Sequence, residues 1–75
     1  MDESLSLTSA ERDELRVRTR SRSLRAEDVR RARLILLLDD GRSYTEIQQM
    51  LSCGATYVSR WKRRLLEARI AGLFS

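Results

Sequence analysis

Proline and histidine are missing from these 75 residues, glycine occurs three times, cysteine once, and the aromatic residues are one Trp, two Tyr and one Phe. Each scarcity excludes something. Without histidine, without a nucleophile set beside a base and without a glycine-rich phosphate loop, the chain has no catalytic constellation, and neither enzymatic activity nor a cofactor is expected. A lone Cys53 cannot close an internal disulfide, so the cross-linked framework of a small secreted protein is excluded and a reducing, cytoplasmic setting is expected. Long apolar runs are absent as well. The longest, "LILLL" at residues 34–38, falls far short of the roughly 20 residues that cross a bilayer. The opening "MDESLSLTS" is acidic and does not read as a signal peptide. Neither a membrane nor a small-molecule ligand is an expected partner.

Leu, Ala, Arg and Glu dominate in place of what is missing, and that mixture belongs to packed helices. At this length the chain is one small domain burying about 60% of its unfolded surface, so the fold class is all-α and stability must come from one compact core. The polar start, residues 1–8, reads as a flexible segment and residues 9–75 as a single domain. "TSAE", Thr8 to Glu11, is a capping box in which the Thr8 side chain accepts from the Glu11 amide while Glu11 reaches back, so a helix spans about 9–20 with Leu15 inward. It runs into "RVRTRSRS", where arginine falls on every second residue from Arg16 to Arg22, a ribbon read as solvated or as an arm along a polyanion.

A second helix, about 25–40, is carried by Val29, Ala32, Ile35 and Leu36 at i, i+3, i+6 and i+7, widened by Leu34, Leu37 and Leu38. Glu27 can pair on its exposed side with Arg30 and Arg31. Gly41 is placed to end it in a left-handed turn. Asp39 and Asp40 invite a metal reading, but adjacent carboxylates at a helix end diverge and no further ligand stands at metal spacing, so they read as solvated polarity and no metal is expected.

"SYTE", Ser43 to Glu46, is a second capping box, starting a short helix at about 44–51 that buries Ile47 and Leu51. Ser-Cys-Gly interrupts it. A fourth helix, about 55–70, then sets Val58, Trp61 and Leu65 on one stripe. Two helices joined by so short a turn cross steeply, with Cys53 a small apolar filler beneath them, and this is a helix-turn-helix whose second helix projects its N-terminal end. The expected architecture is therefore a small bundle of four helices with a C-terminal helix-turn-helix.

Charge converges on the same region. Fourteen of the fifteen cations are arginine, and residues 54–75 carry four of them and Lys62 against Glu67 alone, a local +4 equal to the whole net charge. Guanidinium groups match phosphates and guanine edges bidentately, so double-stranded DNA is the expected partner. Burying Val58 and Trp61 turns Ala55, Thr56, Ser59, Arg60 and Arg63 outward. Thr56 and Ser59 can hydrogen-bond to bases or phosphates, Ala55 can touch a thymine methyl, and Arg60 can grip guanine. Tyr57, Lys62, Arg42 and the amide end of the third helix are placed for phosphates. Trp61 shares the Val58–Leu65 stripe and reads as core, not as a base-stacking residue. The rival class is a helical interaction module associating through "LILLL" or the terminal "LFS"; a homodimer is compatible with either.

Three stretches, "LSLTSAERDEL", "VRRARLILLLDDGRSYTEIQQML" and "VSRWKRRLLEARIAGLF", together resemble the N-terminal homeodomain-like helix-turn-helix of bacterial insertion-sequence transposases of the mariner-like superfamily. The resemblance covers nearly the whole chain. It implies that Ser43 to Arg63 bind transposon-end DNA and that Trp61 packs the recognition helix. Against the family pattern, Ser52 stands at the turn position where Gly is typical, Gln48 where a small Ala is common, and Gly54 where Ser usually caps the recognition helix. Such transposases continue into a catalytic domain with three metal-binding carboxylates, so a chain ending at Ser75 is expected to be either a DNA-binding portion or a short gene product. A free-standing helix-turn-helix regulator is the alternative.

Overall fold

The structure, a computed structural model, describes residues 7–74. The stretch expected to be flexible, residues 1–8, lies outside this range except for its last two residues. Those two are ordered by specific contacts: Leu7 joins the core, 8% exposed, and Thr8 caps the first helix.

Five helices follow in order: α1 (Ser9–Arg20), α2 (Ala26–Asp39), α3 (Tyr44–Leu51), α4 (Ala55–Ala68) and α5 (Ala71–Phe74). No strand occurs among the described residues. Both capping boxes form as read. Thr8 Oγ1 accepts from the Glu11 amide at 3.0 Å and Ser43 Oγ from the Glu46 amide at 3.1 Å, each Glu returning the bond. α2 ends in a full Schellman motif: Gly41 has φ 88°, its amide donates to Leu38 O, and the Arg42 amide donates to Leu37 O. Only glycine takes that φ without steric cost.

α2 is the central element, packing against all four other helices. That explains its uneven apolar pattern. Ala32, Leu34 and Ile35 are completely buried, whereas Val29 and Leu36 to Leu38, expected on one inward face, are half-buried. A helix with neighbours on several sides has no single stripe. The core is completed by Leu15, Ile47, Val58, Leu65 and Leu73.

The fourth helix is shorter than expected and a fifth was not foreseen. α4 stops at Ala68, Arg69 adopts φ 55°, ψ −146°, and the chain folds back as α5, which buries Leu73. The return depends on Gly72, where a Cβ would lie 2.7 Å from the Arg64 carbonyl oxygen. Positive φ at a non-glycine residue costs on the order of 1 kcal/mol or more. Here the side chain offsets it: Arg69 Nη2 and Nε donate to the two carboxylate oxygens of Glu11 at 2.6 and 2.9 Å. A second interhelical pair joins Arg12 Nε to Asp39 Oδ2 at 2.9 Å. Asp39 is thus a clamp between α1 and α2, correcting its reading as solvated, while Asp40 is exposed beside Arg42. Among the described residues no group of carboxylate, His or Cys side chains could hold a metal, and no helix is long and apolar enough to cross a membrane.

The Arg69 guanidinium, and secondly the Thr8 amide, hold the Glu11 carboxyl at about 2 against an ordinary 4.5. A carboxyl depressed by folding contributes stability that is complete above its unfolded value and is lost as pH falls toward the folded one. The melting temperature of the parent should therefore fall as pH drops from about 5 to about 2. Glu11→Gln should melt lower than the parent near neutrality and lose less across that window. Parallel profiles for the two proteins would remove the pair from the account.

Candidate nucleic-acid interface

The turn between α3 and α4 is built by Ser52, which takes φ 53°, ψ 50°, the left-handed geometry anticipated where glycine is usual. The strain, on the order of 1 kcal/mol, is opposed from α2. Arg30 Nη2 donates to the carbonyl oxygens of Leu51 at 2.7 Å and Ser52 at 3.2 Å, satisfying acceptors that the end of α3 leaves open. Cys53 is half-buried and packs against the core. Gly54 then caps α4 with no side-chain bond, and no acid stands in the first turn of α4. The positive end of that helix is therefore left to solvent or to an anion.

The rotation of α4 about its axis is set by what it buries. Val58 and Leu65 are completely buried and Trp61 is 9% exposed. The indole N–H has no acceptor among the described residues, so Trp61 is held by its ring faces. Arg31 lies 4.0 Å above the ring centroid and Tyr57 meets it edge-on at 6.2 Å. Arg31 is itself fixed by Glu27 at 3.2 Å and donates to the Leu73 carbonyl oxygen of α5 at 3.0 Å. One guanidinium from α2 thereby ties down both C-terminal helices.

Tyr57 belongs to this inner network. It was expected to face phosphate; it is half-buried, its hydroxyl donates to Glu27 Oε2 at 2.6 Å, and Arg30 lies 5.1 Å over its ring. Burial, and then the Glu27 carboxylate, push the phenol up to about 12. The same hydrogen bond, followed by burial opposing it and Arg31 assisting it, leaves the Glu27 carboxyl below its usual range. Glu27 pairs with Arg31 as anticipated, whereas Arg30 turns to the α3–α4 turn.

The outward face of α4 carries Ala55, Thr56, Ser59, Arg60 and Arg63, all exposed. Thr56, Ser59, Arg60, Arg63, Arg64 and Glu67 line one open, shallow depression. Arg64 was not singled out from the sequence; it stands four residues after Arg60, a spacing that could have placed it, and its guanidinium reaches to 5.7 Å from the Trp61 ring. Lys62 is half-buried at the side of α4, its Nζ 5.8 Å from the Tyr44 ring. Arg42 lies before α3, exposed but within 3.4 Å of Asp40 and 3.7 Å of Glu46. Arg60 and Arg63 make no ion pair among the described residues, whereas the acids of α1 and α2 are taken up by arginines of the scaffold.

A short helix braced by a sharp turn against a second helix, whose outer face is polar and cationic from its first turn, defines a helix-turn-helix of the DNA-binding class. The chain belongs to the homeodomain-like domain family, whose profile matches residues 25–74 and so covers α2 to α5. Comparisons with curated proteins and with solved structures found no match.

Emptying the Trp61 site should cost about 3–5 kcal/mol, a large part of the roughly 4–11 kcal/mol available to a domain of this size. Trp61→Ala should accordingly melt far below the parent. A variant that melts like the parent would make Trp61 a surface contact residue and overturn the packing described above.

Proposed function

We propose that this domain binds double-stranded DNA in a sequence-dependent manner, with the first turns of α4 in the major groove, and that it serves as the transposon-end-binding part of a transposase. The observation that carries the DNA reading is the division of α4 into two faces: Val58, Trp61 and Leu65 locked inward, Thr56, Ser59, Arg60 and Arg63 free outward. A helix is about 10–12 Å across with its side chains, the width of the major groove. Small residues lead, so the backbone can approach base edges, and long cations follow. The transposase reading is supported by the resemblance of the three sequence stretches.

In this reading Ala55, Thr56 and Ser59 meet bases, Arg60 takes a guanine edge through two parallel hydrogen bonds, and Arg63, Lys62 and Arg42 contact phosphates. Tyr57 acts from within: its hydroxyl is spent on Glu27, and it sets the angle at which α4 leaves the turn. The uncapped α4 amides add a partial positive charge at the groove.

Affinity for duplex should fall steeply as salt rises, with a slope reflecting a handful of phosphate contacts. A flat salt dependence would favour apolar association instead. Within that titration, Arg60→Ala should cost about 1–3 kcal/mol on the preferred sequence and much less on random duplex. Arg63→Ala should weaken all sequences alike and lower the salt slope by about one. Both variants should keep the parent's melting temperature, because exposed charges contribute little to stability. If Arg60→Ala weakened every duplex equally while Thr56 or Ser59 variants changed the preference, base reading would lie nearer the helix start than Arg60.

A further inference from the structure

Among the described residues every carboxylate except one carries an ion pair. Glu11, Asp13, Glu14, Glu27, Asp28, Asp39, Asp40 and Glu46 each have an arginine within 4.0 Å. Glu67 has none, although Arg63 and Arg64 precede it by four and three residues, the spacing at which helical pairs form. It is exposed, and it lines the same depression as Thr56, Ser59, Arg60 and Arg63. The one acid without an ion pair among the described residues thus lies on the face proposed to meet DNA. Eleven residues separate it from Thr56, about three helical turns and about 16 Å. It shares the recognition face but stands beyond the roughly 12 Å breadth of the major groove.

We propose that Glu67 is a specificity-determining residue that acts by repulsion, an inference that rests on the DNA-binding reading above. With the first turns of α4 seated on their preferred bases, the helix enters the groove end-on and the far end of its face stands clear of the backbone. On duplex without those bases, binding rests on phosphates alone. The favourable poses then lay the cations Arg60, Arg63 and Arg64 along the strand. Glu67 follows them and is brought against phosphate oxygens. A carboxylate facing phosphate penalises those poses and leaves the end-on pose almost untouched, so Glu67 lowers non-specific affinity more than specific affinity. Discrimination built from a repulsive element complements the attractive contacts of Thr56, Ser59 and Arg60.

Glu67→Gln removes the charge and keeps the shape, and with no ion pair at this position it should fold and melt as the parent does. Asp13→Asn, on the exposed side of α1, makes the same change in net charge away from this face. Both should be titrated against a duplex selected from a random pool by the parent and against a scrambled duplex of equal length. Glu67→Gln should bind the scrambled duplex about three- to fivefold more tightly, the effect of one like-charge contact at the surface, and the selected duplex within about twofold of the parent. Asp13→Asn should change neither by that much. Equal gains on both duplexes, or an equal gain from Asp13→Asn, would reduce Glu67 to a contribution to net charge and overturn the proposal. Weaker binding of the selected duplex by Glu67→Gln would also overturn it, making Glu67 an acceptor for a base. Failure of the parent itself to bind any duplex is a distinct result, and it would remove the DNA reading together with this one.

Discussion

Which side of α4 turns inward decides what the domain can present to a partner, and that choice rests on Trp61 beneath the Arg31 guanidinium. The ring is packed by Tyr57 on one edge and covered by Arg31 at 4.0 Å. A contact between a cation and an aromatic face, partly shielded from water, is worth on the order of 1–2 kcal/mol. Its larger consequence is geometric. Arg31 is also bonded to Glu27 and to the end of α5, so α4 cannot rotate without breaking contacts in three elements. Arg30, one residue earlier, fixes the turn that precedes α4. Two adjacent residues of α2 thus determine both the angle and the rotation of the helix proposed to enter DNA.

Arginine serves two purposes in this chain, separated by whether a carboxylate faces it. Scaffold arginines such as Arg12, Arg31 and Arg69 are matched to Asp39, Glu27 and Glu11 and hold helices together. Arg60 and Arg63 make no ion pair among the described residues, and their charge is open to a polyanion. The C-terminal excess of positive charge is set by the sequence, four arginines and Lys62 against Glu67 alone, and the fold turns Arg60 and Arg63 of that excess outward. Arg20, Arg22, Arg25, Arg30 and Arg33 likewise make no ion pair among the described residues.

Much of this architecture was legible in the chain because it is encoded locally. Thr8 with Glu11, and Ser43 with Glu46, mark two helix starts within four residues each, and Gly41 marks an end. The Val58, Trp61 and Leu65 stripe settles the inner face of α4, and hence the outward placement of Arg60 and Arg63, from spacing alone. What could not be read depends on residues far apart in the chain. Tyr57 reaches Glu27 thirty positions away and Glu11 reaches Arg69 across fifty-eight; no local pattern announces either. The same holds for Asp39, solvated by its neighbours' look but clamped by Arg12 in space. α5 was missed for a nearer reason: "RIAGLF" carries a glycine that reads as a weak helix position, while its use is to let α5 lie against the Arg64 carbonyl oxygen.

In the proposed complex DNA meets the outer face of α4, with Lys62 at its side and Arg42 before α3 against the backbone. Amide chemical shifts of the labelled domain, followed as duplex is added, test it residue by residue. The largest changes should fall on Ala55, Thr56, Ser59, Arg60 and Arg63, with smaller ones at Arg42, while Asp13, Glu14, Arg16 and Val17 on the exposed side of α1 stay where they are. Changes concentrated on α1 and the arginine-rich connection to α2, with the first turns of α4 unmoved, would contradict it.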